Sequence, residues 1–149
     1  MLVVSGAACG GHPTSEGKSL TIAAITYADA IFTGSARDVY NSEGAGCRVA
    51  KPTSANEKKA EAGLLRLRAQ MQRRFGMSAA AIQMNMAGAT VRDIHGRTGQ
   101  AEVRYDLPRS LIGNDNWVTY ELVDGKWKVQ DCHLPIGGQS SSSGNTATP

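Results

Sequence analysis

The chain has 149 residues, a formal net charge of +3 and only 5% aromatic residues. This length fits a single domain, and the few aromatics with a weak positive charge exclude nucleic acid as a probable class of partner. No stretch reaches the ~20 apolar residues of a membrane-spanning helix. Contact with a membrane is therefore expected only through an anchor.

The first residues resemble the end of a lipoprotein signal. A short apolar run is followed by the small residues Ala7 and Ala8 and then by Cys9, the order in which a signal places its lipidated cysteine. Gly6 departs from this pattern, because a Leu-like residue is usual there. A free cysteine in a cytoplasmic N-terminus is the alternative. We predict lipidation at Cys9, an extracytoplasmic location, and a signal remnant with a polar tether over residues 1–18.

The three cysteines are an odd count. If Cys9 carries a lipid, Cys47 and Cys132 remain as a pair. A disulfide between them would close a loop of about 86 residues, and in the chain-entropy model it would stabilise the fold by roughly 4–5 kcal/mol. Oxidising compartments preserve such bonds. Two unrelated reduced thiols are the alternative.

The first half of the chain predicts helices. Apolar residues recur at helical spacing over 20–33 and over 54–75, and a shorter helix follows Ser35. The long helix is expected to begin with a capping box formed by Ser54 and Glu57. Its basic residues indicate either attraction to an anionic lipid or polymer, or a solvated helix face. These basic residues are Arg66, Arg68, Arg73 and Arg74.

The second half predicts strands. Residues 82–86 alternate between apolar and polar side chains, and the alternation changes phase at Gly88, which predicts a β-bulge. Residues 100–107 alternate without error, with Glu102 and its even-numbered neighbours facing outward. The stretch 137–149 is low in complexity and is predicted to be disordered.

A hairpin over 116–132 completes the predicted sheet. Asp124-Gly125 favours a two-residue type I′ turn, because both residues tolerate positive φ. This turn pairs Val123 with Lys126 and sets the remaining register. The inward pairs are then Leu122 with Trp127, Tyr120 with Val129, and Val118 with Asp131. The outward pairs are Glu121 with Lys128, Thr119 with Gln130, and Trp117 with Cys132.

Helices followed by strands predict an α+β domain over 19–136, with N-terminal helices packed on a curved four-stranded antiparallel sheet. Three segments, 34–40 with Cys47, 101–108 and 125–132, resemble the NTF2-like, cystatin-like cone fold. More narrowly, they resemble small secreted or lipid-anchored proteins of the actinobacterial type. The resemblance covers about residues 20 to 134 and implies that Cys47 pairs with Cys132. The superfold hosts enzymes and binding domains alike, so it implies no single activity.

The resemblance implies a site inside the cone, between the sheet and the helices, where an Asp, His or Tyr acts as acid or base in enzymes of this fold. Asp131 is the one acid on the predicted inward face. In a dry pocket its pKa would be raised. A solvated or loop-bonded Asp at the sheet edge is the alternative. The candidate pocket residues are Tyr27, Tyr40, Tyr105, Tyr120, Trp127 and Asp131.

We therefore expect a non-catalytic extracytoplasmic domain that binds a small apolar ligand or a partner protein through its cone pocket or its sheet face. Pairing of two copies through the sheet is a further candidate. An isomerase- or dehydratase-type enzyme that uses Asp131 and Tyr120 is the alternative. We expect no cofactor and no metal, because His12, His95 and His133 stand in no recognisable ligand pattern.

Overall fold

The computed structural model describes residues 14–47 and 51–137. The predicted lipidation at Cys9 lies outside these residues. The stretch 137–149 that is predicted to be disordered also lies outside them, apart from Gly137. Within them, no helix is both long and apolar enough to cross a membrane.

Helices precede the sheet in the order of elements. The helices are α1 (Ser15–Thr33), α2 (Ala36–Ser42), α3 (Glu57–Phe75), α4 (Ala79–Met84) and the short α5 (Arg109–Ile112). The strands are β1 (Met86–His95), β2 (Thr98–Tyr105), β3 (Trp117–Val123) and β4 (Lys126–Val129).

The four strands form one antiparallel sheet in the order β1-β2-β3-β4. Helix α1 packs against β1, β2 and β4, and its buried residues Leu20, Ala24 and Tyr27 share one helix face. Apolar side chains from α1 and from the inner face of the sheet meet in a common core. The predicted α+β fold, with helices packed on a curved four-stranded antiparallel sheet, is confirmed.

The register predicted for the last hairpin is confirmed. Val123 pairs with Lys126, and the pairs Leu122–Trp127, Glu121–Lys128 and Tyr120–Val129 follow. Asp124 and Gly125 have φ angles of 50° and 78°, as a type I′ turn requires. Because the side-chain period of a strand is two, this register alone places Trp127 and Val129 in the core.

Two predicted helix starts are wrong. Helix α1 begins at Ser15, inside the predicted tether, because the Thr14 hydroxyl accepts a 2.9 Å hydrogen bond from the Gly17 N–H and caps it. The capping box at Ser54 is absent, because α3 begins after Asn56. Asn56 instead stabilises the preceding turn, where its Oδ1 accepts from the Thr53 N–H at 2.7 Å.

The strand predicted over 82–86 is also wrong. Ala79–Met84 forms helix α4, which Ser78 caps by accepting from the Ala81 N–H. Five alternating residues fit a helix end as well as a strand, and Ile82 is fully buried in either case. The predicted bulge at Gly88 is confirmed, since the β1–β2 register shifts between Met86 and Ala89.

The domain predicted over 19–136 includes the chain after Cys132, and in the structure residues 133–137 are part of the fold although they form no helix or ladder strand. We call His133-Leu134-Pro135-Ile136-Gly137 the strap. Leu134 and Ile136 are 3% and 1% exposed, and Pro135 is buried between them. These apolar side chains supply the burial that orders a segment without regular secondary structure.

Candidate functional site

The predicted pocket residues fall into two groups. Tyr27, Tyr105, Tyr120 and Trp127 lie in the core, whereas Tyr40 on α2 and Asp131 after β4 are half-buried. Tyr27 and Tyr120 are 0% and 1% exposed, so they contact neither solvent nor a space that would admit a water molecule. The interior between sheet and helices is filled around these two tyrosines.

The strap fills part of this interior. The Tyr27 hydroxyl donates to the backbone carbonyl of His133 at 3.1 Å, and the Tyr105 hydroxyl donates to that of Pro135 at 2.7 Å. Burial, followed by the nearby Tyr27, raises the pKa of Tyr105 well above its usual range. The same two causes raise the pKa of Tyr120, so both phenols stay protonated at neutral pH.

Asp131 does not lie in a dry pocket. Its carboxylate accepts hydrogen bonds from the Thr119 N–H at 3.1 Å and from the His133 N–H at 3.3 Å. The same carboxylate lies 3.0 Å from Nδ1 of His133, and the two side chains are 28% and 44% exposed. This placement matches the alternative of an Asp at the sheet edge that bonds to a loop.

The structure contains a disulfide between Cys47 and Cys132, whose Cα atoms are 5.0 Å apart. The predicted register pairs Cys132 with Trp117 on the outward face of the sheet. Instead β4 ends at Val129, and Cys132 takes a left-handed φ of 59°. The loop after α2 meets the free edge of β4 through a parallel bridge at Val129, where the Gly44 N–H donates to the carbonyl at 2.8 Å. The disulfide closes this junction. Asp131 thus leaves the inner face without any shift of the hairpin register.

The outer face of the sheet carries a polar ladder that sequence reasoning missed. The guanidinium of Arg92 lies 3.9 Å from the centre of the half-buried Trp117 ring. Arg92 Nε donates to Gln100 Oε1 at 2.8 Å, and Gln100 Nε2 donates to Thr119 Oγ1 at 3.2 Å. These contacts connect β1, β2 and β3, and they order the Trp117 ring on a face that is partly open to solvent. The outward position of Trp117 in the predicted register was the available signal.

Glu102 lies on this outer face, as predicted, yet it is only 6% exposed. Trp117 is its neighbour on β3, and Nη1 of Arg109 lies 3.5 Å from its carboxylate. The exposed Arg104 lies farther along β2. Within residues 14–47 and 51–137, its guanidinium has no hydrogen-bonding or ion-pair partner. This part of the face therefore combines an aromatic ring with basic groups that can receive an acidic partner.

The predicted basic side of α3 divides into structural and solvated residues. Arg68 donates from Nε to the carbonyl of Ile31 at 2.8 Å and from Nη2 to those of Ala30 and Gly34. Arg68 thereby supplies hydrogen-bond donors to backbone carbonyls at the end of α1. Arg74 donates to Gly137 O at 3.0 Å. Arg66 and Arg73 remain exposed.

A narrow groove separates α3 from the strap. It holds about 30 Å³ of open space, enough for one or two water molecules. Ligand pockets are at least about tenfold larger. The lining residues are Leu67, Gln70, Met71, Arg74, Phe75, Leu134 and Ile136.

Comparison of the chain with protein-family models, with curated proteins and with solved structures finds no match. The disulfide fits a secreted or otherwise extracytoplasmic protein, because such bonds persist in oxidising compartments.

Proposed function

We propose that the chain is a non-catalytic, extracytoplasmic domain of the NTF2-like kind, anchored by a lipid at Cys9, which binds a partner protein through the outer face of its sheet. The observation that carries this proposal is the Trp117 ring, held half-buried on that face under Arg92. Aromatic and arginine side chains are the residues most enriched at the energetic centres of protein interfaces.

The geometry supports the sheet face over the cone as the binding surface. The tyrosines expected to line a cone pocket are packed in the core. On the outer face, by contrast, Arg92 keeps its position through both Gln100 and Trp117. A side chain that is already ordered loses less conformational entropy when a partner binds.

Site-specific photo-crosslinking tests the sheet face. A photoreactive residue replaces Thr90, which is exposed on the outer face of β1, and in a matched chain it replaces Thr26, which is exposed on α1. We expect a discrete crosslinked partner from position 90 in cells that express the protein naturally, and none from position 26. The additional change Trp117→Ala should abolish that product. Equal products from both positions, or none from position 90, contradict the proposal.

A crosslinked product of twice the chain mass would instead identify a second copy as the partner, which is the homodimer considered above. The anchor is tested separately. Mass spectrometry of the natively produced protein should show a diacylglyceryl modification on Cys9. An unmodified Cys9 removes the anchor from the proposal and leaves the binding face untouched.

The enzyme alternative, an isomerase- or dehydratase-type reaction that uses Asp131 and Tyr120, has weaker support. Asp131 already accepts from two backbone N–H groups, and Tyr120 is buried. The binding proposal expects no turnover of any substrate; if a substrate is found, full turnover by Asp131→Asn would remove the enzyme alternative that uses Asp131. A loss of turnover of about 100-fold or more would favour the enzyme.

A further inference from the structure

We propose that the strap is the intramolecular occupant of a site for short apolar peptide segments that bend at a proline, and that a segment of similar chemistry from another protein binds there when the strap is displaced. The site lies between α1, α3 and the end of β2, on the opposite side of the sheet from Trp117. This inference does not depend on the outer face being a docking surface.

Two tyrosine hydroxyls donate hydrogen bonds to the backbone of the strap. Tyr27 donates to the carbonyl of His133, and Tyr105 donates to the carbonyl of Pro135, two residues farther along. Both donors bind main-chain oxygens, so they recognise a peptide backbone rather than a particular side chain. A peptide supplies carbonyls at this spacing by its covalent geometry.

The side chains of the strap define the rest of the ligand class. Leu134 and Ile136 are buried, and they line the groove together with Met71 and Phe75. Pro135 between them has no N–H group, so its burial leaves no backbone donor unsatisfied. The site therefore fits a short segment of the type apolar-Pro-apolar.

The open side of the site is the groove along α3. At its rim, Arg74 donates to the carbonyl of Gly137 at 3.0 Å and lies over the Phe75 ring. Gly137 has a φ of 78°, and a Cβ there would lie 2.9 Å from the Arg74 guanidinium. The end of the strap is thus clamped by one exposed side chain. Its beginning is fixed by the disulfide at Cys132.

Peptide binding to the full chain tests the proposal. The probe is a fluorescein-labelled peptide with the sequence of the strap, His-Leu-Pro-Ile-Gly, titrated by fluorescence anisotropy. Arg74→Ala should bind it roughly tenfold more tightly than the unaltered chain, because the loosened strap competes less well. Arg73→Ala is the matched control. It removes the same charge from the neighbouring exposed position and should leave binding unchanged.

A third variant distinguishes specific peptide binding from non-specific binding to an exposed apolar core. In the Arg74→Ala background, Tyr105→Phe removes the donor to the Pro135 carbonyl and keeps the ring. The affinity of this double variant for the peptide should then be about tenfold lower than that of Arg74→Ala. The proposal is overturned if Arg74→Ala gains nothing over Arg73→Ala, or if the gain survives Tyr105→Phe.

Native-state proteolysis of the unaltered chain gives an independent readout if Arg74→Ala fails to fold. Cleavage within 133–137 should depend only weakly on denaturant, as expected when the strap opens locally and exposes little surface. Cleavage with the full denaturant dependence of global unfolding would show that the strap is a permanent part of the core and would overturn the proposal.

Discussion

The two faces of the sheet differ in what surrounds their tryptophan side chains. On the inner face, Trp127 is 6% exposed and its Nε1 donates to the Ser19 hydroxyl at 3.0 Å, under helix α1. On the outer face, Trp117 is half-buried and its main contact is the guanidinium of Arg92. Side chains on one face are covered by helices and the strap, and those on the other are ordered by each other. The difference shows that a large ring on this sheet is covered by a helix on one face and partly open to solvent on the other, where we propose that it contacts a partner.

The disulfide joins the loop after α2 to the chain after β4, and its removal should have the largest effect. Replacing both Cys47 and Cys132 by Ser should lower the free energy of unfolding by about 4–5 kcal/mol, because the bond restricts an 85-residue separation in the unfolded chain. Chemical denaturation measures this loss, with Cys9→Ser as the control. A loss below about 1 kcal/mol would mean that the loop after α2 is held by other contacts.

The tryptophan pair tests the comparison directly. Trp127→Ala should lower the free energy of unfolding by about 3–5 kcal/mol, because it leaves a cavity in the packed core. Trp117→Ala should cost about 1 kcal/mol, since it removes an exposed cation–π contact. Both losses are read from urea unfolding midpoints at constant slope. Equal losses would show that the outer ring is structural and would weaken its proposed role in binding.

Alkaline pH should destabilise the inner face. Burial raises the pKa of Tyr105 and Tyr120 in the folded chain. The stabilisation is therefore complete below the unfolded value near 10 and is lost as the pH rises above it. Each tyrosine should contribute a decrease of about 1.4 kcal/mol per pH unit. Denaturation curves between pH 9 and 11 measure the slope, and Tyr105→Phe should reduce it. A slope that this variant does not change would contradict the assignment.

Arg68 should give the smallest of these effects. Arg68→Ala removes a donor from three carbonyls near the end of α1, although the Ala30 carbonyl still accepts from the Gly34 N–H. The expected cost is about 1–2 kcal/mol for a partly solvated group. Arg66→Ala, on the exposed side of the same helix, should change stability by less than about 0.5 kcal/mol. Thermal unfolding of the two variants gives the comparison. Similar losses would mean that the basic side of α3 acts through its total charge.

The predicted elements differ in how far local pattern determined them. The Asp124-Gly125 turn and the alternation of 116–129 set the hairpin register, because turn geometry and the two-residue period act over short distances. Alternation over 82–86 was too short to separate a strand from the end of a helix. The cap of α3 was misplaced because Asn56 bonds to the preceding turn, a choice that the Ser54–Glu57 spacing does not show.

The sequence by itself determined the fold class and the hairpin, and it indicated the pairing of Cys47 with Cys132 on the condition that Cys9 carries a lipid. Each follows from periodicity, turn chemistry or cysteine count. Only the tertiary structure decided where Asp131 points and what fills the interior. Cys132 turns the chain after β4 through a left-handed conformation. As a result, Asp131 bonds to Thr119, and Leu134 and Ile136 enter the core. What fills the interior depends on contacts between residues about 100 positions apart, such as Tyr27 with His133, which no local pattern encodes.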